Sequence, residues 1–331
     1  MKKFSIILLL LCFLTGAAMA QKPSVASADL KILRMKEDSL QKLAKKMIVD
    51  SLIAGRMRSD SMFIRTLVRS LQTKNSFYYP FDSVQGISKL YAPDSTFRIF
   101  TWSLLIDDFY SRQRGAIQMR TNDGSLKLIP LRDYSEFTDK PLDSVRTKDN
   151  WIGAVYYNIV QNKHNGKNYY TLFGFDDNNV RSTRKWIEVL SFNERNEPLF
   201  GGPFFSFEKD SIKRPVQYRH FIEYKKEAST LVNFVDDEGM ILVDHLISET
   251  DEDDKPYTRI PDGDYEGFKW TNGKWLHIDK VFNFKIDMTG ADPYLGRPPM
   301  GDPLIDAKGN RNEQKLQEQS DKNKVKKKGG N

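Results

Sequence analysis

The sequence predicts a mainly β protein, in which an antiparallel β-meander follows an N-terminal α-helical hairpin or arm and precedes a disordered C-terminal tail. Three observations predict this class. Apolar residues recur with a helical period only in residues 29–74, and the period becomes two residues from Phe77 onward. Helical patterns of about ten residues are absent between the later strands, which disfavours a parallel α/β sheet. A barrel, a sandwich and propeller-like blades remain alternatives for the β region.

Residues 1–20 have the pattern of a secretory signal peptide. Two lysines precede an unbroken apolar run at residues 4–14, and Ala18 and Ala20 occupy the −3 and −1 positions of a cleavage site before Gln21. The run is shorter than the roughly 20 apolar residues that a membrane-spanning helix needs. The sequence therefore predicts export of a chain that begins at Gln21.

The single cysteine, Cys12, lies inside this apolar run and follows Leu11. A lipid anchor would need a small residue before the cysteine, so we expect no lipid. Without Cys12 the exported chain has no thiol, which excludes a disulfide scaffold, a cysteine-based zinc site and thiol catalysis. Residues 21–28 are expected to form a short linker.

Residues 29–74 predict a helical arm of two helices. Ser27 is the expected N-cap, Gly55 the expected terminator of the first helix, and the second helix is expected to begin near Ser59. Two apolar stripes predict the faces that pack onto protein, with anionic lipid as the alternative contact. The first stripe comprises Leu33, Leu40, Leu43, Ala44, Met47, Ile48 and Leu52. The second comprises Ile64, Leu67, Val68 and Leu71.

Residues 75–289 predict the antiparallel β domain, with about ten or eleven strands between Phe97 and Ile286. Asp-Gly and Asn-Gly pairs predict tight hairpin turns, because glycine accepts the positive φ that such turns need. Residues 176–184 interrupt the strands and are expected to form a short helical turn. The turn pairs are Asp123-Gly124, Asn165-Gly166 and Asn272-Gly273.

The two segments after the β domain lack apolar periodicity. Prolines and glycines predict an extended linker over residues 290–307, and the lysine-rich residues 308–331 predict a basic disordered tail. The formal net charge of +7 is therefore unevenly distributed, since the arm and the tail are basic and the β domain is acidic. An exported protein with an acidic body is a poor nucleic-acid binder, so no nucleic acid is expected as a partner.

Sequence motifs for catalysis or cofactor binding are absent. The sequence contains no G-x-S-x-G, no G-x-G-x-x-G, no Walker A loop and no H-E-x-x-H. We therefore predict no catalytic residue, no cofactor-binding residue and no metal-binding residue. Three histidines on predicted strands could still converge in the fold, and abundant carboxylates leave a two-carboxylate glycosidase open. These histidines are His220, His245 and His277.

One segment imitates the first half of a calcium loop. Asp262, Asp264, Glu266 and Gly267 match loop positions 1, 3, 5 and 6, but position 12 is Gly273 instead of the bidentate glutamate. We therefore expect a glycine turn that leads into a strand. The acidic run at residues 249–254 and the residues at 176–179 are expected to be solvated loops.

Several segments together resemble an uncharacterised family of exported proteins from the Bacteroidota. That family has no assigned activity, cofactor or catalytic residue, so the resemblance implies export from a Gram-negative cell and nothing about chemistry. The segments that carry the resemblance are 77–81 (FYYPF), 97–102 (FRIFTW), 114–118 (RGAIQ) and 261–270 (PDGDYEGFKW).

Two functions are compatible with these patterns. The first is an exported, noncatalytic, envelope-associated binding or scaffold protein, whose partner would be an envelope protein, a glycan or a lipid. The alternative is a periplasmic or secreted hydrolase of a glycan or envelope polymer that uses paired carboxylates. A cleft lined by a converging carboxylate pair would favour the hydrolase, and a surface without such a pair would favour the binding protein.

Overall fold

The structure, a computed structural model, describes residues 24–281. Strands account for 42% of the described residues and helices for 20%, which confirms the predicted mainly β class with two N-terminal helices. The predicted signal peptide, linker 290–307 and tail 308–331 lie outside the described residues, as do residues 282–289 of the β region. Among the described residues, no helix is both long enough and apolar enough to cross a bilayer.

Two α-helices precede fifteen strands within residues 24–281. The helices are α1 (Ser27–Val49) and α2 (Ile53–Leu71). The first eight strands are β1 (Ser88–Tyr91), β2 (Phe97–Asp107), β3 (Tyr110–Met119), β4 (Lys127–Leu131), β5 (Arg146–Thr147), β6 (Val155–His164), β7 (Lys167–Asp176) and β8 (Ser182–Phe192). The others are β9 (Pro198–Phe200), β10 (Phe205–Ser206), β11 (Arg219–Lys225), β12 (Val232–Val235), β13 (Met240–Ser248), β14 (Arg259–Thr271) and β15 (Lys274–Ile278).

These strands form three open sheets in the described part of the chain. Sheet 1 has the order β1-β2-β3-β4, and sheet 2 has the order β5-β9-β8-β7-β6 with β11 also paired to β8. Sheet 3 has the order β10-β15-β14-β13-β12. All strand pairs are antiparallel except β10 with β15. The strand count exceeds the predicted ten or eleven because several strands have only two to five residues, too few to show a period.

The helices and the three sheets are stacked in layers. Phe100 and Trp102 of β2 face the helices, whereas Phe97 and Ile99 of the same strand face sheet 2. Sheet 2 also has a buried face on each side. Leu172 of β7 faces sheet 1, whereas neighbouring residues on β7 and β8 face sheet 3. Both faces of the two inner sheets are therefore buried, as in sheet-on-sheet packing, and the strands of residues 24–281 form no closed barrel.

The helical hairpin is attached to sheet 1 by its apolar face, as predicted. Leu33, Leu40, Met47, Leu67 and Leu71 are all at most 5% exposed. They pack against aromatic residues of sheet 1 and of the segment before β1. The predicted stripe is wrong at its end, where Ile48 and Leu52 are 63% and 69% exposed. Helix α1 ends at Val49, so Leu52 lies in the junction and its position no longer follows the helical period.

The junction between the helices differs from the predicted one. Helix α1 ends at Val49 and α2 already begins at Ile53, so Gly55 lies inside α2 instead of terminating α1. The Asp50 carboxylate accepts a hydrogen bond from the amide of Leu52, which turns the chain before glycine is reached. A Cβ at Gly55 would lie 2.1 Å from Oδ2 of Asp50, so a larger residue there would displace this carboxylate from the Leu52 amide. The prediction of Ser27 as N-cap is wrong, because Ser27 is the first residue of α1 and the N-cap is Ala26, which has no side-chain hydrogen bond.

Two of the predicted turns are tight hairpins. Asn165-Gly166 joins β6 to β7 and Asn272-Gly273 joins β14 to β15, with positive φ at all four residues. Asp123-Gly124 instead lies in a seven-residue loop, residues 120–126, between β3 and β4. The predicted helical turn at 176–184 is wrong, because residues 177–181 form a loop and Ser182 already belongs to β8.

Candidate ligand-binding cleft

A cavity lies where the hairpin β6–β7 and the hairpin β8–β9 meet the entrance of β2. Its volume is about 800 Å³, within the range of about 300–1,000 Å³ that is usual for small-molecule sites. Its walls come from four separate parts of the chain. The lining residues include Thr96, Met119, Lys167, Asn168, Tyr169, Tyr170, Phe192 and residues 193–197.

One wall of the cleft is fixed by Asp94, in the turn between β1 and β2. Its Oδ1 accepts hydrogen bonds from the amide (3.1 Å) and the hydroxyl (2.7 Å) of Thr96. Its Oδ2 accepts from Tyr170 Oη (2.7 Å), Asn168 Nδ2 (3.2 Å) and Gln161 Nε2 (3.2 Å). Burial alone would raise the pKa of Asp94, but the hydrogen bonds from Tyr170 and Thr96 lower it. The ionised carboxylate thus orients three residues of the wall.

The floor of the cleft is aromatic. The Tyr170 ring packs edge-on against Phe97 with centroids 4.8 Å apart, and Phe192 packs against both rings. Tyr169 lies on the other face of β7, where it contacts Phe204. The two adjacent tyrosines thus face opposite sides of the strand, yet both contribute to the cleft because β7 begins at its rim.

The turn between β8 and β9 forms the opposite wall. Oδ1 of Asn193 accepts hydrogen bonds from the amides of Arg195 and Glu197, both at 2.9 Å. Nδ2 of Asn193 donates to the Glu197 carboxylate at 2.9 Å. The turn is therefore held by its own hydrogen bonds, and the side chains of Glu194, Arg195 and Asn196 remain exposed to solvent at the rim.

This arrangement provides planar amides, hydroxyls and both signs of charge around an aromatic floor. Amides, hydroxyls and charged groups can exchange hydrogen bonds with polyhydroxylated ligands, and aromatic faces cover the apolar side of such ligands. Because Asp94 already fixes the orientation of this wall, ligand binding would cost less conformational entropy. The cleft is thus chemically suited to a polar ligand of oligosaccharide size.

A second polar cluster lies between sheet 3 and the loop after β10. His277 of β15 is fully buried; its Nδ1 lies 2.9 Å from Asp210 Oδ1 and its Nε2 lies 2.9 Å from Glu266 Oε2. Because both nitrogens face carboxylates, both carry protons and the ring is an imidazolium. Burial alone would lower the pKa of His277, but the hydrogen bonds to Glu266 and Asp210 raise it.

The three strand histidines converge only in part. His220 and His277 both pack against the ring of Phe268, each at 5.0 Å between centroids. Burial lowers the pKa of His220 to about 4, so this ring is neutral. His245 lies apart at the surface and pairs with Asp262 at 2.8 Å. The chain therefore brings two of the histidines into one cluster, with different charges.

The segment that imitates a calcium loop is part of a strand. Strand β14 comprises Arg259–Thr271, but its pairing with β13 shifts in register at residues 262–264, where Gly263 has a φ of +95°. The expected glycine turn is therefore a bulge within the strand instead of a turn before it. Each of the three carboxylates has a basic partner, since Asp262 pairs with His245, Asp264 with Lys280 at 2.7 Å and Glu266 with His277. Asp262 and Asp264 therefore lie in a bulge of the strand and form ion pairs with other elements instead of a ligand loop.

One group of three within residues 24–281 could place ligand atoms around a metal ion. The ligand atoms of Asp210, His277 and Asp279 lie within 4.8 Å of one another. The guanidinium of Arg214 lies 2.6 Å from Asp210 Oδ2 and 3.3 Å from His277 Nδ1. Two positive groups already neutralise Asp210, which favours an ion-pair network here. The absence of a metal site stays a prediction.

The His277 cluster should make stability depend on pH. The folded-state pKa of His277 is raised, so its contribution is complete below about pH 6.5 and is lost as the pH rises through that raised pKa. Replacing His277→Gln should lower the free energy of unfolding by roughly 1.5–3 kcal/mol near pH 6, the worth of hydrogen bonds to charged groups. The difference from the unmodified protein should shrink toward pH 9. Urea unfolding across this pH range is the measurement.

The matched control for this prediction is His245→Gln. His245 is partly exposed and also pairs with a carboxylate, and exposed pairs contribute only about 0–1 kcal/mol. A difference for His277→Gln that stays constant between pH 6 and pH 9 would contradict the assignment of an imidazolium.

The structure also brings two carboxylates together on either side of Gln113. The amide of Gln113 donates to Asp133 at 2.8 Å, and Nε2 of its side chain donates to Asp176 at 3.1 Å. Burial raises the pKa of Asp176 to about 6. Neither carboxylate lines the cleft. The pair therefore does not supply the converging carboxylates in a cleft that would favour a glycan hydrolase.

Sequence reasoning did not identify Asp94. Its five donors belong to residues as far apart as Thr96 and Tyr170, and only the spacing of Asp94 and Thr96 is a local signal, typical of a side-chain-to-backbone turn. No protein-family model, curated protein or solved structure matches this chain. The functional assignment therefore rests on the geometry of the cleft.

Proposed function

We propose that this protein is an exported, noncatalytic, envelope-associated protein that binds a glycan in the cleft between the β6–β7 and β8–β9 hairpins. The observation that carries the proposal is the wall of Thr96, Asn168 and Tyr170. Each of these side chains donates a hydrogen bond to the Asp94 carboxylate. A wall that is ordered before the ligand arrives is characteristic of a binding site.

The carboxylates near the cleft favour binding over hydrolysis. A glycosidase needs one carboxyl group that is protonated at working pH and acts as a general acid. Asp94 accepts hydrogen bonds from five donor groups, which lower its pKa and keep it ionised. Glu197 accepts a hydrogen bond from Asn193 within its own turn. Both groups are suited to holding neighbouring side chains in place.

Binding of envelope glycans to the purified protein tests this proposal. The probes are peptidoglycan tetrasaccharides, lipopolysaccharide core oligosaccharide and maltotetraose, titrated by isothermal calorimetry. We expect at least one envelope probe to bind. Asp94→Ala should weaken this binding at least tenfold, because the freed Tyr170 and Asn168 would have to be ordered by the ligand. Arg195→Ala, at the exposed rim, should weaken it without affecting the fold.

The control variant is Asp236→Ala, which removes an exposed carboxylate in the turn between β12 and β13. It should bind like the unmodified protein. If none of the three probes binds with a dissociation constant below about 1 mM, or if Asp94→Ala and Arg195→Ala bind as tightly as the unmodified protein, the proposal is wrong. Release of new reducing ends from a probe would instead support the alternative, a glycan hydrolase.

A further inference from the structure

An exposed apolar surface lies at the turn between the two helices. We define the hairpin tip as Ile48, Val49, Leu52 and Met57, which are 63%, 64%, 69% and 43% exposed. These residues come from the last turn of α1, the junction and the first turns of α2. Four large apolar side chains at one turn make a contiguous patch of the kind that marks an interaction surface.

The patch continues onto the neighbouring end of sheet 1. Arg56 donates from Nε to the carbonyl of Leu105 at 2.9 Å and from a terminal nitrogen to the carbonyl of Asp50 at 2.9 Å. These bonds hold the junction against β2, where the Leu105 side chain is 45% exposed. The hairpin tip is thus a rigid projection, with its shape fixed by the fold.

Basic side chains surround the hairpin tip. Residues 39–59 contain five basic residues and one acidic residue, Asp50. Lys45, Lys46 and Arg58 are exposed in the helices next to the tip. The Asp50 carboxylate accepts a hydrogen bond from the Leu52 amide within the junction. The helix ends at the tip therefore carry net positive charge beside an apolar centre, and Asp107 and Asp108 are exposed on the neighbouring turn between β2 and β3.

We infer that the hairpin tip inserts into the surface of an anionic membrane. Stable peripheral binding generally needs two signals, an apolar group that enters the acyl boundary and basic residues that meet anionic headgroups. The tip presents both on one convex turn. A stable protein–protein interface buries roughly 800 Å² of surface on each partner. The turn between two helices does not offer a flat surface of that area.

The opposite face of the hairpin cannot take part in this contact. Leu40, Ala44 and Leu67 are buried against sheet 1, so the helices are already anchored to the protein. Insertion of the tip would therefore attach the whole body to the membrane without unfolding the arm.

Co-sedimentation with lipid vesicles tests the inference. The protein is recovered after export, and its intact mass shows that the apolar residues 4–14 are absent, since they would bind lipid by themselves. We expect binding to phosphatidylglycerol–phosphatidylcholine vesicles that is at least tenfold tighter than to phosphatidylcholine alone. The double variant Val49→Asp, Leu52→Asp should weaken binding at least tenfold, and Lys45→Glu with Lys46→Glu should weaken it as well.

The matched control is Ile212→Asp, which places the same charge on an equally apolar residue that is 79% exposed in the loop after β10. It should leave vesicle binding unchanged. Thermal midpoints confirm that each variant is folded. Equal binding by the Val49→Asp, Leu52→Asp variant would overturn the inference. So would a protein that ignores the vesicles but forms a dimer in sedimentation that this variant dissociates, because the tip would then contact a second copy.

Discussion

Replacing Arg98 with methionine should lower the free energy of unfolding by roughly 3 kcal/mol or more, because it would leave buried acceptors without a donor. Arg98 of β2 is fully buried. It donates to the carbonyls of Ser76 (2.8 Å) and Tyr79 (2.6 Å) and to Oε1 of Gln118 (2.8 Å). It also donates to Tyr91 Oη (2.7 Å). Burial lowers its pKa to about 10, so the guanidinium stays charged at neutral pH.

Two effects oppose each other in the Arg98→Met variant. Removing a buried charge relieves its desolvation penalty, and apolar replacement of a whole buried ion pair can be nearly neutral. Here, however, only the donor is removed, and three buried oxygen acceptors remain. The aromatic faces of Phe81 and Phe100, which lie 5.4 and 4.7 Å from the guanidinium carbon, lose a cation–π partner as well.

The measurement is urea unfolding, which compares the free energies of unfolding of the Arg98→Met and Arg120→Met variants. Arg120 follows the end of β3 and is exposed, so its replacement should change the free energy of unfolding by less than about 0.5 kcal/mol. A loss below about 1 kcal/mol for Arg98→Met would mean that relief of desolvation compensates for the orphaned acceptors.

The second large effect should be release of the helical hairpin by Leu40→Asp combined with Leu67→Asp. Each leucine is at most 5% exposed, and burial of a leucine contributes roughly 1.5–3 kcal/mol. The introduced carboxylates would also have to be desolvated or exposed. Amide hydrogen exchange in residues 27–71 should therefore accelerate by orders of magnitude, while the inner strands of sheet 2 stay protected.

Polar contacts orient the same hairpin. Asp60 accepts from Trp102 Nε1 at 2.9 Å and pairs with Arg114 at 2.7 Å. Glu37 accepts from the Tyr79 hydroxyl and from the amide of Ser83. Because these pairs are largely buried, moderate salt should leave the hairpin docked, as screening acts mainly on exposed charges.

The control for the release experiment is Ile32→Asp with Met62→Asp, two helix positions that are 48% and 45% exposed. Exchange in this control should match that of the unmodified protein. Protected amides in residues 27–71 of the Leu40→Asp, Leu67→Asp variant would show that the polar contacts alone hold the hairpin.

Periodicity predicted the parts of the fold that depend on local chemistry. The apolar positions of α1 and α2 recur every three or four residues, so Leu33, Leu40 and Leu67 could be assigned to a buried face before any partner was known. The Asn165-Gly166 and Asn272-Gly273 turns followed from the positive φ that these residues tolerate. The period of two, without helices between the strands, predicted an antiparallel β region.

Predictions from local sequence pattern were wrong where contacts with residues elsewhere in the fold determine the structure. Leu52 continues the stripe of α1 in sequence, but the helix ends at Val49 and Leu52 lies in the exposed junction. Gly55 looked like a terminator, but its role is to admit the carboxylate of Asp50. The acidic alternation of Asp262 and Glu266 looked like a ligand set, but the basic partners come from other strands.

By itself, the sequence determined the composition of each element, its apolar face and the turns that reverse the chain, because these depend on residues within a few positions of one another. Only the tertiary structure decided the stacking of three sheets, the burial of Arg98 and the assembly of the cleft around Asp94. Those features join residues that are tens of positions apart, such as Asp94 and Tyr170. A hydrogen bond across that distance leaves no periodic signal, because the fold alone brings its two ends together.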